Sequence, residues 1–185
     1  PIRVLHDGVD CDYFAPGAAA AVPGLSVPDT TPLVTYATRG LDPYRGFPEF
    51  MRAADILLRQ RPDLHVAIAG EDKVFYGAAA RAGETWRSQM LTDLPALDRR
   101  RVHFLGPLAL ADYRALLRRA TVHVYLTVPF VLSWSLIEAM ATGAAIVASD
   151  TAPVREAVRD GQEGLLAPFA SPEAIAGRID EILST

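Results

Sequence analysis

The feature that most constrains this chain is an alternation. Short apolar runs of four to six residues are each followed by a segment whose apolar residues recur at helical spacing. Leu33 to Ala37 reads as a strand. Phe47, Phe50, Met51, Ala54, Leu57 and Leu58 then share one helix face, with Pro48 suited to a first helical turn. Leu64 to Ala69 is a second strand, followed by a Gly/Ala-rich loop over residues 71–83 and a helix through roughly Leu94. Val102 to Leu105 is a third strand, and Tyr113, Leu116, Leu117 and Ala120 form the next helix face. Val122 to Leu126, residues 145–148 and Gly164 to Ala167 read as three further strands. Short helices stand between them near Glu138 and over Val154 to Val158. Ser171-Pro172-Glu173 opens a final helix with Ile175, Ile179, Ile182 and Leu183 on its core face.

Six strands alternating with six helices predict an α/β, Rossmann-like, doubly wound and mainly parallel sheet with helices on both faces. Parallel strands need crossover connections, so every strand-to-helix segment falls on one edge of the sheet. Segments 38–46, 70–77, 106–108, 127–135 and 149–153 should therefore meet where such sheets bind ligands. Residues 15–32 are rich in Ala, Pro and Gly. Residues 1–32 read as a linker-like segment from a missing N-terminal domain, and 33–185 as the folded domain. The chain begins at Pro1, which fits a trimmed fragment.

Composition excludes some classes. The net charge of −4 argues against a nucleic-acid-binding domain. No apolar run reaches the roughly 18 residues of a membrane span, and a cytoplasmic location is expected. Single Cys11 rules out a disulfide within the chain or a thiolate metal cluster, and no metal site is expected. His65, His103 and His123 lie in apolar strand-like runs and read as structural. There is no G-x-G-x-x-G, phosphate-loop lysine motif, H-E-x-x-H or Ser-His-Asp order, so no nicotinamide or flavin cofactor is expected.

Two stretches carry candidate chemistry. In "TRGLDPYRGFPEF", Arg39 and Arg45 share a strand-to-helix loop, and Gly40 and Gly46 allow close backbone approach. Two guanidinium forks suit a diphosphate, though surface arginines would give the same spacing. In "FVLSWSLIEAM", the amides of Ser133, Trp134 and Ser135 could cradle an anion at a helix start. Trp134 reads first as a core anchor. Ser135 to Glu138 has capping-box spacing, so Glu138 is either a cap or a ligand to a polyol. Gly143 ends that helix.

These segments, in this order, resemble the C-terminal domain of the retaining, two-domain (GT-B-type) glycosyltransferases, the glycosyl transferases group 1 family. The likeness rests on "VLHDGVDCDYFAPG", "TRGLDPYRGFPEFMRAADIL", "VHFLGPLALADYRALLRRATVHVYLT" and, most specifically, "LIEAMATGAAIVASDTAPVREAVRDGQEGLLAP". It implies transfer of a hexose from a UDP-, GDP- or ADP-sugar to an acceptor, with no cofactor or metal. The acceptor site, and any peripheral membrane contact, would belong to the missing domain, so the fragment alone would be inactive. The resemblance makes Glu138 the ligand of the donor ribose and Arg39 and Arg45 the basic pair on the phosphates. Backbone at Phe104 to Pro107 would meet the base. The donor would also lie against Gly40, Phe130, Ser133, Trp134, Ser135 and Leu136.

Two departures stand out. Arg45 replaces the family's lysine, and Phe130 replaces its first glutamate, eight positions before the second, which contacts the transferred sugar. Sugar handling would then fall to Ser133 and nearby amides. A nucleotide-sugar epimerase of similar architecture and a non-catalytic nucleotide- or partner-binding domain are the competing readings.

Overall fold

A computed structural model describes residues 7–18 and 20–185. The expected elements form in the expected order. They are β1 (Leu33–Gly40), α1 (Phe47–Gln60), β2 (His65–Glu71), α2 (Trp86–Asp93), β3 (Val102–Gly106), α3 (Leu110–Arg119), β4 (Val122–Tyr125), α4 (Trp134–Ala141), β5 (Ile146–Ser149), α5 (Ala152–Arg155), β6 (Leu165–Ala167) and α6 (Pro172–Leu183). Short 3-10 turns, Pro43–Arg45 and Arg99–Arg101, precede α1 and β3.

All neighbouring strands are parallel, in the order β3-β2-β1-β4-β5-β6. The order reverses between β1 and β4, which opens a crevice at their carboxyl ends. Alternate residues serve the two faces. Val34 and Tyr36 of β1, Val122 and Val124 of β4 and Val147 of β5 pack into one apolar cluster with Phe50, Leu57 and Ile179 of α1 and α6. Ile146, Ala148 and Tyr125 point the other way, onto Leu117, Leu136 and Val154. Leu33, Ala37 and Ala67 pack there on Leu116. Burying a Leu or Phe side chain contributes about 1.5–3 kcal/mol, so these faces set the sheet's register.

The start of α1 depends on Gly46. It takes φ +70°, and a Cβ there would stand 2.6 Å from Leu126 Cβ. Only glycine lets the helix close onto the end of β4 in this conformation. That closeness brings the preceding turn, with Arg45, over the strand ends.

Among the buried polar groups, His123 of β4 is fully enclosed. Its Nδ1 lies 2.9 Å from Thr35 Oγ1, and its Nε2 has no partner among the described residues. Burial pushes its pKa down to about 4. His65 and His103 stack against each other, with Nδ1 and Nε2 2.9 Å apart.

Part of the stretch that reads as a linker packs closely on the domain. The Phe14 ring stands edge-on to Tyr113, and Arg114 donates to the Tyr13 carbonyl at 3.0 Å. Among the described residues no helix is long and apolar enough to cross a membrane.

Candidate functional site

The carboxyl ends of β1, β2, β3 and β4 open into a cavity of about 630 Å³, within the size range of small-molecule sites. Segments 38–46, 70–77, 106–108 and 127–135 each contribute to its wall. Segment 149–153 does not. Ser149 is occupied in bracing the neighbouring loop: its Oγ accepts from the Thr127 amide at 2.9 Å and donates to the Thr127 carbonyl at 3.0 Å.

Arg45 is the best-held residue of the site, only 8% exposed. Its own turn is fixed first. Asp42 Oδ1 accepts from the Arg45 amide at 3.3 Å, and the Tyr36 hydroxyl donates to the Arg45 carbonyl at 2.7 Å. The guanidinium is fixed next, with Nη1 donating to Tyr125 Oη at 3.1 Å, Thr127 Oγ1 at 3.0 Å and the Val131 carbonyl at 3.3 Å. Arg39 also lines the cavity but is held differently. It is exposed, with its guanidinium carbon 4.2 Å above the centre of the Phe75 ring.

Asp42 and Tyr125 complete this arrangement, and neither is among the candidate residues of the sequence. Asp42 is 1% exposed, and its Oδ2 accepts from the Phe75 and Tyr76 amides at 3.3 Å each. One carboxylate thus ties the arginine turn to the loop after β2. The local signal was there: Asp-Pro is a turn and N-cap pair. Tyr125 accepts from Arg45 and also from the Ser133 amide at 3.0 Å. A phenol at the end of an apolar strand run was its signal.

That second bond resets the helix start. Ser133, not Ser135, caps α4, with its Oγ accepting from the Ser135 amide at 3.2 Å. Glu138 therefore lies beyond the first turn, and the expected capping box does not form. The expected three-amide cradle is also reduced. The Ser133 and Ser135 amides are bonded within the protein, which leaves that of Trp134. Trp134 is no core anchor, being 59% exposed with its indole N–H on Asp7 Oδ2 at 3.2 Å. Gly143 ends the helix as expected, at φ +76° with its amide on the Met140 carbonyl.

Glu138 lines the cavity and is half-buried. Burial raises its pKa, and the neighbouring Tyr113 phenol works against that rise. The two groups interact electrostatically, yet no well-formed hydrogen bond joins them, and the buried Tyr113 hydroxyl has no partner among the described residues.

Pro107, Ser133, Trp134 and Ser135 stand in the wall; Gly40, Phe104, Phe130 and Leu136 do not. A Cβ on Gly40 would meet the Lys73 carbonyl at 2.4 Å, so its close approach is to the protein's own loop. Phe104 packs against the core beneath the Arg87 guanidinium, and Leu136 is fully buried. Phe130 sits among Tyr44 and Tyr76, with its ring centre 5.4 Å from the Arg45 guanidinium carbon. The ring is an aromatic support for the arginine. Among the described residues no three His, Cys, Asp or Glu side chains converge as metal ligands.

The arrangement offers a charged, pre-formed end for an anion and a half-buried carboxylate for hydroxyl groups. The chain is similar to known proteins along nearly its whole length. It is 30% identical over 196 aligned residues to D-inositol 3-phosphate glycosyltransferase of Mycolicibacterium gilvum, covering 99% of this chain and 39% of that protein. It is 29% identical to phosphatidyl-myo-inositol mannosyltransferase of Mycobacterium tuberculosis, covering 95% and 42%. The chain thus spans about two-fifths of these relatives' length. Among solved structures, the C-terminal domain of the Francisella tularensis group 1 protein LpcC superposes with a TM-score of 0.75 at 23% identity, covering 96% of this chain and 89% of that one. Anabaena HepE, solved in complex with UDP, gives 0.76 at 20% identity, covering 98% and 48%. Residues 31–185 match the family described as Glycosyl transferases group 1. The chain belongs to that family, and its fold is that of the LpcC C-terminal domain.

Proposed function

We propose that this domain binds the nucleotide diphosphate sugar of a retaining hexosyltransferase, with the acceptor held by a separate N-terminal domain. The observation that carries this reading is that Arg39, Arg45 and Glu138, distant in sequence, line one cavity at the carboxyl ends of the strands. The names of the relatives, and the UDP and UDP-glucose in the HepE structures, agree with it.

In this reading the diphosphate lies against Arg45 and Arg39, and the ribose reaches Glu138. As the anomeric bond breaks, negative charge grows on the leaving phosphate. A guanidinium already fixed by Tyr125, Thr127 and Val131 meets that charge without rearranging, which lowers the barrier. The Tyr125 hydroxyl accepts from two donors, so its own proton is left for a phosphate oxygen. Phe130 supports Arg45 and contacts no sugar, so sugar recognition falls to Ser133 and the loop before α4. The domain alone binds nucleotide and does not transfer.

Calorimetry with UDP, GDP, ADP and inorganic pyrophosphate tests this. The expected result is saturable binding of at least one nucleotide, with pyrophosphate bound more weakly. A folded sample that binds none of them at millimolar concentration would refute the proposal. Phe130 in place of a carboxylate also favours a second reading, a binding domain without catalysis. Transfer by the protein with its N-terminal domain present separates the two. Turnover of a sugar nucleotide without any acceptor would instead identify an epimerase.

A further inference from the structure

The geometry points to Tyr113 as a positioning residue for nucleotide recognition: its phenol is set to donate to the Glu138 carboxylate when that carboxylate takes the vicinal hydroxyls of a ribose. This rests on the proposed role of Glu138 and adds a residue that no motif of the sequence marks.

Three observations carry it. Tyr113 lines the cavity, yet its hydroxyl oxygen is buried and unpartnered among the described residues. A buried phenol without an acceptor costs stability, about the desolvation of one polar group. Second, the ring cannot readily turn to find another partner. It is wedged edge-on against Phe14, with centroids 6.2 Å apart, and packs against two apolar clusters. Third, the charged group that acts on it among the described residues is Glu138, on the facing helix.

Glu138 has room to respond. It is half-buried at the cavity wall, with Tyr113 the titratable group that acts on it among the described residues. Arg39, Arg45, Glu71 and Asp7 stand elsewhere around the same cavity. A carboxylate accepts several hydrogen bonds. One from Tyr113 fixes its rotamer and favours its ionised form, and the rest remain for a diol. Burial alone pushes Glu138 toward the neutral acid, which is a poorer acceptor. The phenol counters that push at the moment when ligand removes still more water.

The test compares the nucleoside diphosphate that binds most tightly with its 2′,3′-dideoxy counterpart and with inorganic pyrophosphate, by calorimetry from pH 5 to 8. The unaltered chain should prefer the diol and lose that preference as pH falls through the Glu138 pKa. Tyr113→Phe should melt at the same temperature or somewhat higher, because the lost hydroxyl is buried without a partner among the described residues. It should lose about tenfold in preference for the diol, begin that loss at higher pH, and bind pyrophosphate unchanged. Glu138→Gln separates the failures. If it leaves the preference intact, the ribose role of Glu138 is wrong and this inference falls with it. If it abolishes the preference while Tyr113→Phe leaves both preference and pH midpoint unchanged, the inference alone is wrong. Carbon-13 titration of the Glu138 carboxyl in the unaltered chain needs no variant. Saturating nucleotide should lower its pKa, and an unchanged or raised value would overturn the role of Tyr113.

Discussion

At one end of the cavity, the Arg45 guanidinium is nearly buried and gives one nitrogen to three protein oxygens. At the other, Glu138 is half-buried beside a phenol with which it makes no hydrogen bond. The first end is complete before any ligand arrives. The second leaves the Tyr113 hydroxyl without a partner among the described residues. This division suits the two parts of a nucleotide diphosphate. Charge that develops during reaction is best met by dipoles and cations that are already fixed. A neutral diol is better recognised by groups that would otherwise lack partners, because a ligand without the hydroxyls leaves them unpaired.

Breaking the completed end should have the largest effect. Arg45→Ala would take one donor from Tyr125 and leave Thr127 Oγ1 and the Val131 carbonyl without theirs, and we expect a loss of roughly 2–4 kcal/mol in chemical denaturation. Diphosphate affinity should fall by about 10²-fold. Arg45→Lys should recover charge but not the three-acceptor bond set, and so fall between. If Arg45→Ala costs affinity but no stability, the end is not pre-built.

Acid can act on the fold as well as on the site, and His123 allows the two to be told apart. Its folded pKa, about 4, lies below the unfolded value near 6.5. The unfolded chain therefore takes up the proton first as pH falls. Stability is full above pH 6.5 and declines toward pH 4, by up to about 3 kcal/mol. Thermal melts from pH 7 to 4.5 should show the decline, and a flat profile would mean that His123 is protonated in the folded chain. Binding measurements at the Glu138 end must stay within the folded range so defined.

Glu138→Gln sharpens the open end. It should cost about tenfold in nucleotide affinity, change pyrophosphate binding little and leave the melting temperature unchanged. A fall in stability with affinity intact would make Glu138 a structural residue. Arg39→Ala should have the smallest effect. Its guanidinium is exposed and stacked on Phe75, so solvent screens it, and a two- to fivefold loss of diphosphate affinity is expected. A loss equal to that of Arg45→Ala would show that a bound ligand draws Arg39 inward.

The architecture was legible because its signal is local. Most strands and helices are announced by a period of two or 3.6 residues, or by a short apolar run, and the observed ends shift by only a few residues; α2, with Met90 as its one buried residue, carries little such signal. β1 runs past Ala37 to Gly40 because its last residue still pairs, out of register, with Glu71 of β2. The site was legible in part. Arg45, Pro107 and residues 133–135 follow strands or open helices, Arg39 stands at the end of β1 and Glu138 just past the first turn of α4, and strand ends and helix starts meet at one edge in any parallel sheet. Phe130 and Leu136 occupy similar positions in the sequence, yet packing turns them into supporting roles. The cap on α4 was misplaced by two residues because the bond that settles it comes from Tyr125, in another element.

The sequence by itself determined the order of strands and helices, and with it the edge at which every candidate residue would stand. Periodicity, turn residues and the need for crossovers are properties of neighbouring positions along the chain. Only the tertiary structure decided which of those residues share a hydrogen bond. Arg45 meets Tyr125 across 80 positions because β1 and β4 are neighbours at the reversal in strand order. Tyr113 and Glu138, which share no hydrogen bond, line one cavity because α3 and α4 pack on the same face of the sheet. Contacts of that kind depend on strand order and helix docking, which the sum of buried apolar surface settles and no short stretch of sequence encodes.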